Sequence, residues 1–227
     1  MRIEYFGHCF FRVSFGKTSV LFDPFINTDL SGKHMKRIVS CAVKEQDVGK
    51  SDVAVISNDN FDHFDSKALR FFAERDNCII IAHDSALDKL DVVPHLKKAV
   101  RVNDSFSLRG VDFRVLPAHC PGCFYPLSFI ASRDGESVFF SGKTALMDNF
   151  SEVKANVAIL PIGGGMGMDV VDAVRAVKTM KPDYVIPMHY NTFDSIKANP
   201  LDFKARIEKS ILKTKPVILE KGSSFRT

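Results

Sequence analysis

The stretch DVAVISNDNFDHFD, residues 52–65, runs from an apolar segment through a polar loop to the predicted start of a helix at Ser66. Residues 53–56 are all apolar and include three β-branched side chains, a composition typical of a short buried strand. Many α/β proteins carry reactive side chains in loops at strand ends, because the rigid sheet fixes the loop. The stretch therefore predicts an α/β domain whose chemistry lies at the end of this strand.

Similar apolar runs, separated by turn residues, recur on both sides of this loop. The runs predicted as strands are Arg2–Tyr5, Phe10–Phe15, Ser19–Phe22, Val53–Ile56, Ile79–Ala82, Phe106–Leu108, Val111–Leu116, Leu127–Ala131, Ser137–Ser141, Val157–Leu160, Tyr184–Ile186 and Val217–Leu219. Helical patterning covers Ser66–Arg75, Asp169–Met180 and Asp202–Thr214. Residues 1–227 are interpreted as one domain with two β-rich halves, about 1–110 and 111–227, each closing with helices. This order predicts two sheets face to face with helices outside them.

The composition fits a globular domain and does not indicate a nucleic-acid-binding surface. The chain has 227 residues, 45% of them hydrophobic, and 20 Phe supply aromatic volume in the absence of Trp. The formal net charge is only +4, and the densest basic stretch, Lys33–Arg37, is interpreted as a solvated loop. We therefore expect no nucleic-acid partner.

Neither a membrane segment nor a secretory leader is expected. No continuous apolar run approaches the roughly 18 residues of a membrane helix, and the N-terminal residues lack an apolar signal core. The five Cys are sparse and odd in number for a disulfide framework. The sequence thus predicts a cytoplasmic protein with reduced thiols and no membrane partner.

The polar loop resembles the His-x-His-x-Asp-His motif of metallo-β-lactamase-fold hydrolases. Asp62 and His63 stand at the last two ligand positions, whereas Asn58 and Asn60 stand where the two leading His are expected. Further segments that resemble the family, in the same order along the chain, are residues 7–11, 21–25, 117–119, 140–144, 160–169 and 185–193. They are similar to the ascorbate-phosphate-lactonase-like branch of metal-dependent hydrolases. The resemblance implies a four-layer αββα sandwich with its cleft at one edge of the two sheets.

The resemblance also implies how metal ions would be held. One ion would be bound by the two leading His and a mid-chain His, of which only His119 remains here. Another would be bound by Asp62, His63 and His189, with an Asp shared between the ions at the position that Lys143 occupies. Amide oxygens are poor zinc ligands, so we expect the first position to be empty. The retained residues are expected to hold no ion or one, with zinc ahead of iron or manganese.

Lys143 changes the charge balance of this site. An ammonium close to a divalent ion is repelled, whereas a buried Asp62 without any compensating cation is costly. We therefore hypothesise that Lys143 lies near the vacated metal position and pairs with Asp62. The sequence predicts a hydrolase by ancestry with a degraded two-metal site, metal-free or at most mononuclear. The alternative is an active one-metal hydrolase of a small ester, lactone or phosphate-bearing metabolite, with Asp62, Lys143 and His189 as catalytic candidates.

The cleft and the cysteines supply further candidates. Residues expected to contact a small-molecule ligand are Gly164, Tyr190, Thr192, Asn58 and Asn60. Gly164 belongs to a glycine run before a helix, which favours either anion binding or a tight turn. Cys120 and Cys123 form a Cys-x-x-Cys that we interpret as a turn, with a thiol or redox activity as a second alternative. Related family members commonly self-associate, so a second copy of the chain is a candidate partner.

Overall fold

Fourteen β-strands and four α-helices make up the main regular structure of residues 1–26 and 36–227, which the computed structural model describes. The strands are β1 (Arg2–Gly7), β2 (Phe10–Phe15), β3 (Thr18–Phe22), β4 (Val53–Val55), β5 (Ile79–Ala82), β6 (Lys97–Ala99), β7 (Ser105–Leu108), β8 (Val111–Pro117), β9 (Leu127–Arg133), β10 (Glu136–Phe140), β11 (Val157–Pro161), β12 (Tyr184–Met188), β13 (Lys215–Pro216) and β14 (Ser224–Arg226). The helices are α1 (Ser66–Asp76), α2 (Asp84–Leu87), α3 (Val170–Met180) and α4 (Pro200–Glu208).

The strands form two seven-stranded sheets with the same succession of pairings. The first sheet has the order β14-β1-β2-β3-β4-β5-β6, and the second has the order β7-β8-β9-β10-β11-β12-β13. Along each order, three antiparallel pairings are followed by three parallel ones. Parallel neighbours end at the same sheet edge, where α/β proteins form their ligand-binding crevices. The loops after β3 and β4 therefore lie together, as do those after β10, β11 and β12.

Three apolar layers hold the sheets and helices together. The central layer lies between the sheets and includes Val53 and Val55 of β4, whereas Ala54 faces the other way and packs in the layer under α1 and α2. A third layer joins the second sheet to α3 and α4. Because successive strand side chains point to opposite faces, a strand buried on both faces carries a continuous apolar run. The predicted four-layer αββα sandwich is confirmed.

Helix caps fix the loop between β4 and α1. The Asp65 carboxylate accepts a hydrogen bond from the backbone N–H of Ala68, which starts α1 at Ser66. The helix ends at Asp76 and is followed by the capping residue Asn77, whose φ of 53° lies in the left-handed region. The polar loop is thus held at one end by a buried strand and at the other by a capped helix.

Two predicted elements differ from the structure near the C-terminus. The predicted strand Val217–Leu219 is wrong, because the short strand beside β12 is Lys215–Pro216 and Val217 adds only one backbone hydrogen bond, 2.8 Å long, to the Val185 oxygen. The predicted helix Asp202–Thr214 starts earlier, at Pro200, since the Asn199 side chain caps it, and it ends at Glu208.

Two edge strands, β6 and β14, and the short helix α2 were not predicted. Strands β6 and β14 are three residues long and carry half-buried or exposed side chains, so the sequence lacks the apolar run that marks an inner strand. Strand β14 pairs antiparallel with β1 and so returns the C-terminus to the first sheet.

The interpretation of residues 1–227 as one domain stays a prediction.

Other expectations concern membranes and basic residues. Among the described residues, no helix is long and apolar enough to cross a bilayer. Of the basic stretch Lys33–Arg37, residues 33–35 lie outside the described residues. The Arg37 guanidinium lies 4.3 Å from the centroid of the Phe25 ring, a cation–π contact at the edge of the core.

Phe140 offers a test of the packing between the two sheets. Its ring lies in the central layer, 4.9 Å from the ring of Phe22 and 6.4 Å from that of Phe11, both in the opposite sheet. Phe140→Ala should lower the free energy of unfolding by about 3–5 kcal/mol, because it leaves a cavity between the sheets. Phe124→Ala, at a side chain 75% exposed, is the matched control and should change it by about 0.5 kcal/mol or less. Urea unfolding measures both, and equal effects would contradict this packing.

Candidate metal site

Three loops bring four side chains of metal-ligand type to one buried point. His8 comes from the turn between β1 and β2, Asp62 and His63 from the loop after β4, and His189 from the end of β12. All four are buried, and their potential ligand atoms lie within 4.8 Å of one another. The sequence-predicted group of Asp62, His63 and His189 is therefore assembled, with His8 as an additional member.

The Asp62 carboxylate is the centre of this group. Its Oδ2 lies 3.2 Å from His189 Nε2, 3.6 Å from His8 Nε2 and 4.0 Å from His63 Nε2. Four buried atoms here have no hydrogen-bond partner, namely both ring nitrogens of His8, His63 Nε2 and Asp62 Oδ1. Buried polar atoms are nearly always partnered, so a cluster of orphaned ones requires an explanation such as an ion. The arrangement fits one cation bound between Asp62, His63 and one ring nitrogen of His8.

The protonation states suit the same cation. Burial lowers the pKa of His8 far below its usual range and also lowers the pKa of His189, so both rings are neutral near pH 7. Burial alone would raise the pKa of Asp62, but the His63, His189 and His8 imidazoles outweigh it and hold that pKa well below its ordinary value. Neutral imidazoles and an ionised carboxylate form a donor set typical of zinc and of similar divalent ions.

A buried carboxylate, Asp23, orients His63. Asp23 Oδ2 lies 2.6 Å from His63 Nδ1 and accepts a hydrogen bond of 2.6 Å from Ser57 Oγ, while Oδ1 accepts one of 2.7 Å from the Ser57 backbone N–H. With Nδ1 held by a carboxylate, the lone pair of His63 Nε2 points into the cluster. Such outer partners fix the ring orientation and tautomer of ligating His residues.

Two of the clustered His residues have left-handed backbone conformations. The φ angles are 58° at His8 and 56° at His189, a region that non-glycine residues seldom adopt. The backbone N–H of His189 donates to the His8 oxygen over 2.8 Å, which joins the end of β12 to the β1–β2 turn across the two sheets. The fold thus holds both rings in place through strained turns, as occurs at functional sites.

Lys143 approaches the same carboxylate from the end of β10. Its Nζ lies 3.8 Å from Asp62 Oδ2, within ion-pair range but beyond hydrogen-bond distance, and its side chain is 9% exposed. The turn before it requires glycine, because Gly142 has a φ of 59° and an added Cβ would lie 2.6 Å from Ser57 Cβ. One ammonium and one carboxylate therefore face each other at the base of the site.

The other family ligand positions do not form a second cluster. Asn58 Nδ2 donates to Ser57 Oγ over 3.0 Å, and Asn58 Oδ1 accepts from the Asn60 N–H over 3.1 Å, so its amide serves the loop itself. His119 is exposed and lies outside both groups of ligand-type side chains in the described residues, namely the Asp62 cluster and the group of Cys9, Asp23 and His63, which share His63. The backbone N–H of His119 donates to Thr144 Oγ1 over 2.9 Å. Among the described residues, the positions of the two leading His and of His119 therefore do not assemble into a further ligand group.

A cleft of about 370 Å³ opens beside the cluster. Asp62, His189 and Lys143 lie in its wall together with Asn60 and Gly164, two of the residues expected to contact a ligand. The other three do not line this cleft in the described structure; they are Asn58, Tyr190 and Thr192. Asn58 and Thr192 are buried, and Tyr190 packs against the layer under α3 and α4.

Cys120 and Cys123 are joined by a disulfide bond. The expectation of reduced thiols is therefore wrong for this pair, because the Cys-x-x-Cys turn holds the two sulfur atoms within bonding distance. The backbone N–H of Cys123 donates to the Cys120 oxygen over 2.9 Å, as in a tight turn. The remaining cysteines are free thiols, namely Cys9, Cys41 and Cys78.

His8 is the site residue that sequence reasoning missed. The sequence places it only in an opening segment of strands, between Gly7 and Cys9. The sequence feature that could have indicated His8 is a His in a two-residue turn between two strands, because such a turn places the side chain at the edge of the sheet. That signal is weak without knowledge of where the edge lies.

Comparison with known proteins supports the same architecture. Residues 2–189 match the family model described as a beta-lactamase superfamily domain. A UPF0173 metal-dependent hydrolase of Pyrobaculum arsenaticum is 28% identical over 234 aligned positions, which cover 100% of both chains. A UPF0173 metal-dependent hydrolase of Aeropyrum pernix is 29% identical, covering 99% of this chain and 96% of the relative.

Two solved structures superpose over nearly the whole chain. Igni18, a metallo hydrolase from Ignicoccus hospitalis, has a TM-score of 0.84 at 25% identity, covering 100% of this chain and 98% of Igni18. The isothiocyanate hydrolase from Delia radicum gut bacteria has a TM-score of 0.78 at 12% identity, covering 100% of this chain and 99% of its own. At 12% identity, the likeness to the isothiocyanate hydrolase shows a shared fold alone.

Metal-free protein should lose stability as the pH falls below about 6.5, the ordinary pKa of His. The folded-state pKa values of His8 and His189 are lowered, so the unfolded chain takes up these protons first and protonation favours unfolding. Each ring should remove up to about 1.4 kcal/mol per pH unit until the pH reaches its folded pKa. Asp62, with its pKa lowered, stays ionised in this range and adds nothing to the slope.

Urea unfolding of chelator-treated protein at about pH 7, 6 and 5 measures this slope. His8→Asn should reduce it, because one of the two rings is gone. His119→Asn, at an exposed ring, is the matched control and should leave it unchanged. A slope that is the same in His8→Asn and in the natural protein would contradict the buried, neutral state of His8.

Proposed function

The chain belongs to the beta-lactamase superfamily of metal-dependent hydrolases, and we propose that it is a degenerate member that hydrolyses a small metabolite with one divalent ion. The observation that carries this proposal is the set of orphaned, buried donor atoms around Asp62. Without a cation, each such atom costs about 1–3 kcal/mol relative to a partnered one. A single ion would account for His63 Nε2, Asp62 and one of the two ring nitrogens of His8 together.

Four residues of this chain would hold the ion, namely His8, Asp62, His63 and His189. When bound, a divalent ion of this kind lowers the pKa of a bound water and polarises the bond to be cleaved. Asp23 keeps His63 Nε2 available by holding Nδ1, and the lowered pKa values of His8 and His189 keep both rings deprotonated. The protein therefore supplies orientation and the correct protonation state before any ligand arrives.

The Lys143 ammonium has the proposed role of binding or stabilising negative charge. Among the described cleft residues, Lys143 and Asp62 are the side chains of Lys, Arg, Asp or Glu type. Their charges cancel, so a divalent ion would leave the cleft with a net charge of about +2. The Lys143 ammonium can then pair with an anionic group of the substrate or with an oxyanion that forms during hydrolysis.

The substrate class follows from this charge and from the size of the cleft. A space of about 370 Å³ suits a small metabolite rather than a polymer. We propose an ester, a lactone or a phosphate-bearing compound with a carboxylate or phosphate near the cleaved bond. The resemblance to ascorbate-phosphate lactonases supports the same class, and a cytoplasmic location fits a metabolite substrate.

A second candidate is a metal-free descendant whose cleft binds a small ligand without hydrolysing it. The distance of 3.8 Å between Lys143 Nζ and Asp62 Oδ2 favours it, because the ammonium then compensates the buried carboxylate directly. The orphaned nitrogens of His8 and His63 speak against it, since Lys143 leaves them unpartnered. The two candidates differ in metal content and in the effect of removing Lys143.

The natural protein should bind about one zinc or manganese ion per chain, measured by elemental analysis after purification without affinity metal. Asp62→Ala should abolish binding, because the site loses its carboxylate ligand. His119→Ala is the matched control and should bind as the natural protein does. The triple variant Asn58→His, Asn60→His, Lys143→Asp should bind a second ion. Metal content well below one ion per chain in the natural protein would favour the metal-free candidate.

Lys143→Met separates the two candidates by a second measurement. In a one-metal hydrolase it should raise metal affinity at least ~10-fold, because like unit charges within about 8 Å repel by about 2 kcal/mol at an effective dielectric of 20. It should also lower kcat for small phosphate or carboxylate esters by about 10²-fold. In a metal-free protein it should instead reduce the free energy of unfolding by about 3–5 kcal/mol, since Asp62 loses its cation. Lys143→Arg keeps the charge and is the control in calorimetric titration and unfolding.

A further inference from the structure

The disulfide between Cys120 and Cys123 closes a turn that contributes Gly122 to the wall of the cleft. The turn runs through Pro121 and Gly122, with 5.4 Å between the Cα atoms of the two cysteines. Gly122 lines the cleft, and an added Cβ there would lie 2.7 Å from Met166 Sδ, so the turn packs against the opposite wall. A change in the conformation of this turn therefore changes the shape of the cleft.

Cys123 accepts a hydrogen bond from the loop that carries the proposed metal ligands Asp62 and His63. Asn60 Nδ2 donates to Cys123 Sγ over 3.2 Å, and the Asn60 backbone N–H donates to Asn58 Oδ1 over 3.1 Å. Asn60 precedes Asp62 by two residues in the same loop. The position of the sulfur atom is thus linked to the backbone that presents Asp62.

The other end of the turn is hydrogen-bonded to the segment that carries Lys143. His119, the residue before Cys120, donates its N–H to Thr144 Oγ1 over 2.9 Å and accepts from the Ala145 N–H over 2.8 Å. The Cys120–Cys123 turn thus connects the two segments whose side chains, Asp62 and Lys143, face each other in the cleft.

Cys123 combines partial exposure with a position next to the cleft, whereas Cys9 and Cys78 are buried and Cys41, also partly exposed, does not line the cleft. Cys123 is partly exposed between two exposed residues, Gly122 and Phe124, so a reductant can reach its sulfur. Burial raises the pKa of the thiols of Cys9, Cys41 and Cys78, which keeps them protonated and poor in exchange. Among the described cysteines, Cys123 is therefore the partly exposed sulfur that lies next to a cleft-lining residue.

We propose that Cys120–Cys123 is a redox-active disulfide whose reduction by a dithiol loosens the wall of the cleft. A thiolate of the dithiol attacks Cys123 Sγ, the bond between the two sulfur atoms breaks, and Cys120 leaves as a thiolate that takes up a proton. The second thiol of the dithiol attacks the mixed disulfide and releases Cys123. Two electrons and two protons pass to the protein, and the dithiol becomes a disulfide.

The first experiment measures the redox state of each cysteine in the full-length protein. Samples equilibrated with graded ratios of reduced to oxidised dithiothreitol are alkylated and counted by mass spectrometry. We expect Cys120 and Cys123 to change together in one two-electron step, while Cys9 and Cys78 stay constant. Cys41→Ser is the matched control and should show the same step. A pair that is alkylated at every ratio, or one that never becomes reduced in folded protein, would overturn the proposal.

The second experiment measures whether the step reaches the metal-ligand loop. Hydrogen–deuterium exchange of the reduced protein should show several-fold faster exchange at residues 119–124 and 58–63 than in the oxidised protein, with α4 unchanged. The double variant Cys120→Ser, Cys123→Ser should exchange as the reduced form at any ratio. Asn60→Ala should confine the change to residues 119–124, because it removes the bond to Cys123.

Identical exchange of the reduced and oxidised natural protein would refute the link, even if the double variant failed to fold. Both experiments read out thiols and backbone amides rather than hydrolysis. A negative result in either experiment would therefore count against the redox proposal alone and not against the proposed one-metal hydrolase.

Discussion

A buried carboxylate that must be compensated dominates this molecule. Asp62 lies below the surface where four elements converge, and its charge has three imidazoles and one ammonium as neighbours. An ionised carboxylate is costly to bury unless charges or strong hydrogen bonds surround it. The conformations of the β1–β2 turn, the β4–α1 loop and the ends of β10 and β12 all serve to hold those neighbours around one oxygen atom.

The sandwich makes this convergence possible because its strand ends are rigid. Both faces of each sheet are packed, so the loop positions at the sheet edges vary little. Left-handed backbone at His8 and His189 then turns two rings inward, and the bond from the His189 N–H to the His8 oxygen ties the sheets together at that point. The stability of the inner layers thus maintains strain that the site requires.

The replacements at the family ligand positions form a consistent set. Asn58 and Asn60 use their amides for bonds within the loop and to Cys123. Lys143 brings a positive charge to the place where a family Asp would bring a negative one. Under the proposed degenerate site, two amides in place of imidazoles and an ammonium in place of a carboxylate act in the same direction, because both weaken the binding of inorganic cations.

The sequence by itself determined the inner strands, the layers and the loop that carries Asp62 and His63, but not the edge strands β6, β13 and β14. Each depends on local periodicity, since a strand such as β4 has two buried faces and an unbroken apolar run. Only the tertiary structure decided that His8 joins the cluster, that His119 stays outside it and that Cys120 bonds Cys123. The contact between Asp62 and His189 spans 127 residues of the chain. Which distant side chains meet depends on strand order and register, and no local pattern in the sequence encodes either.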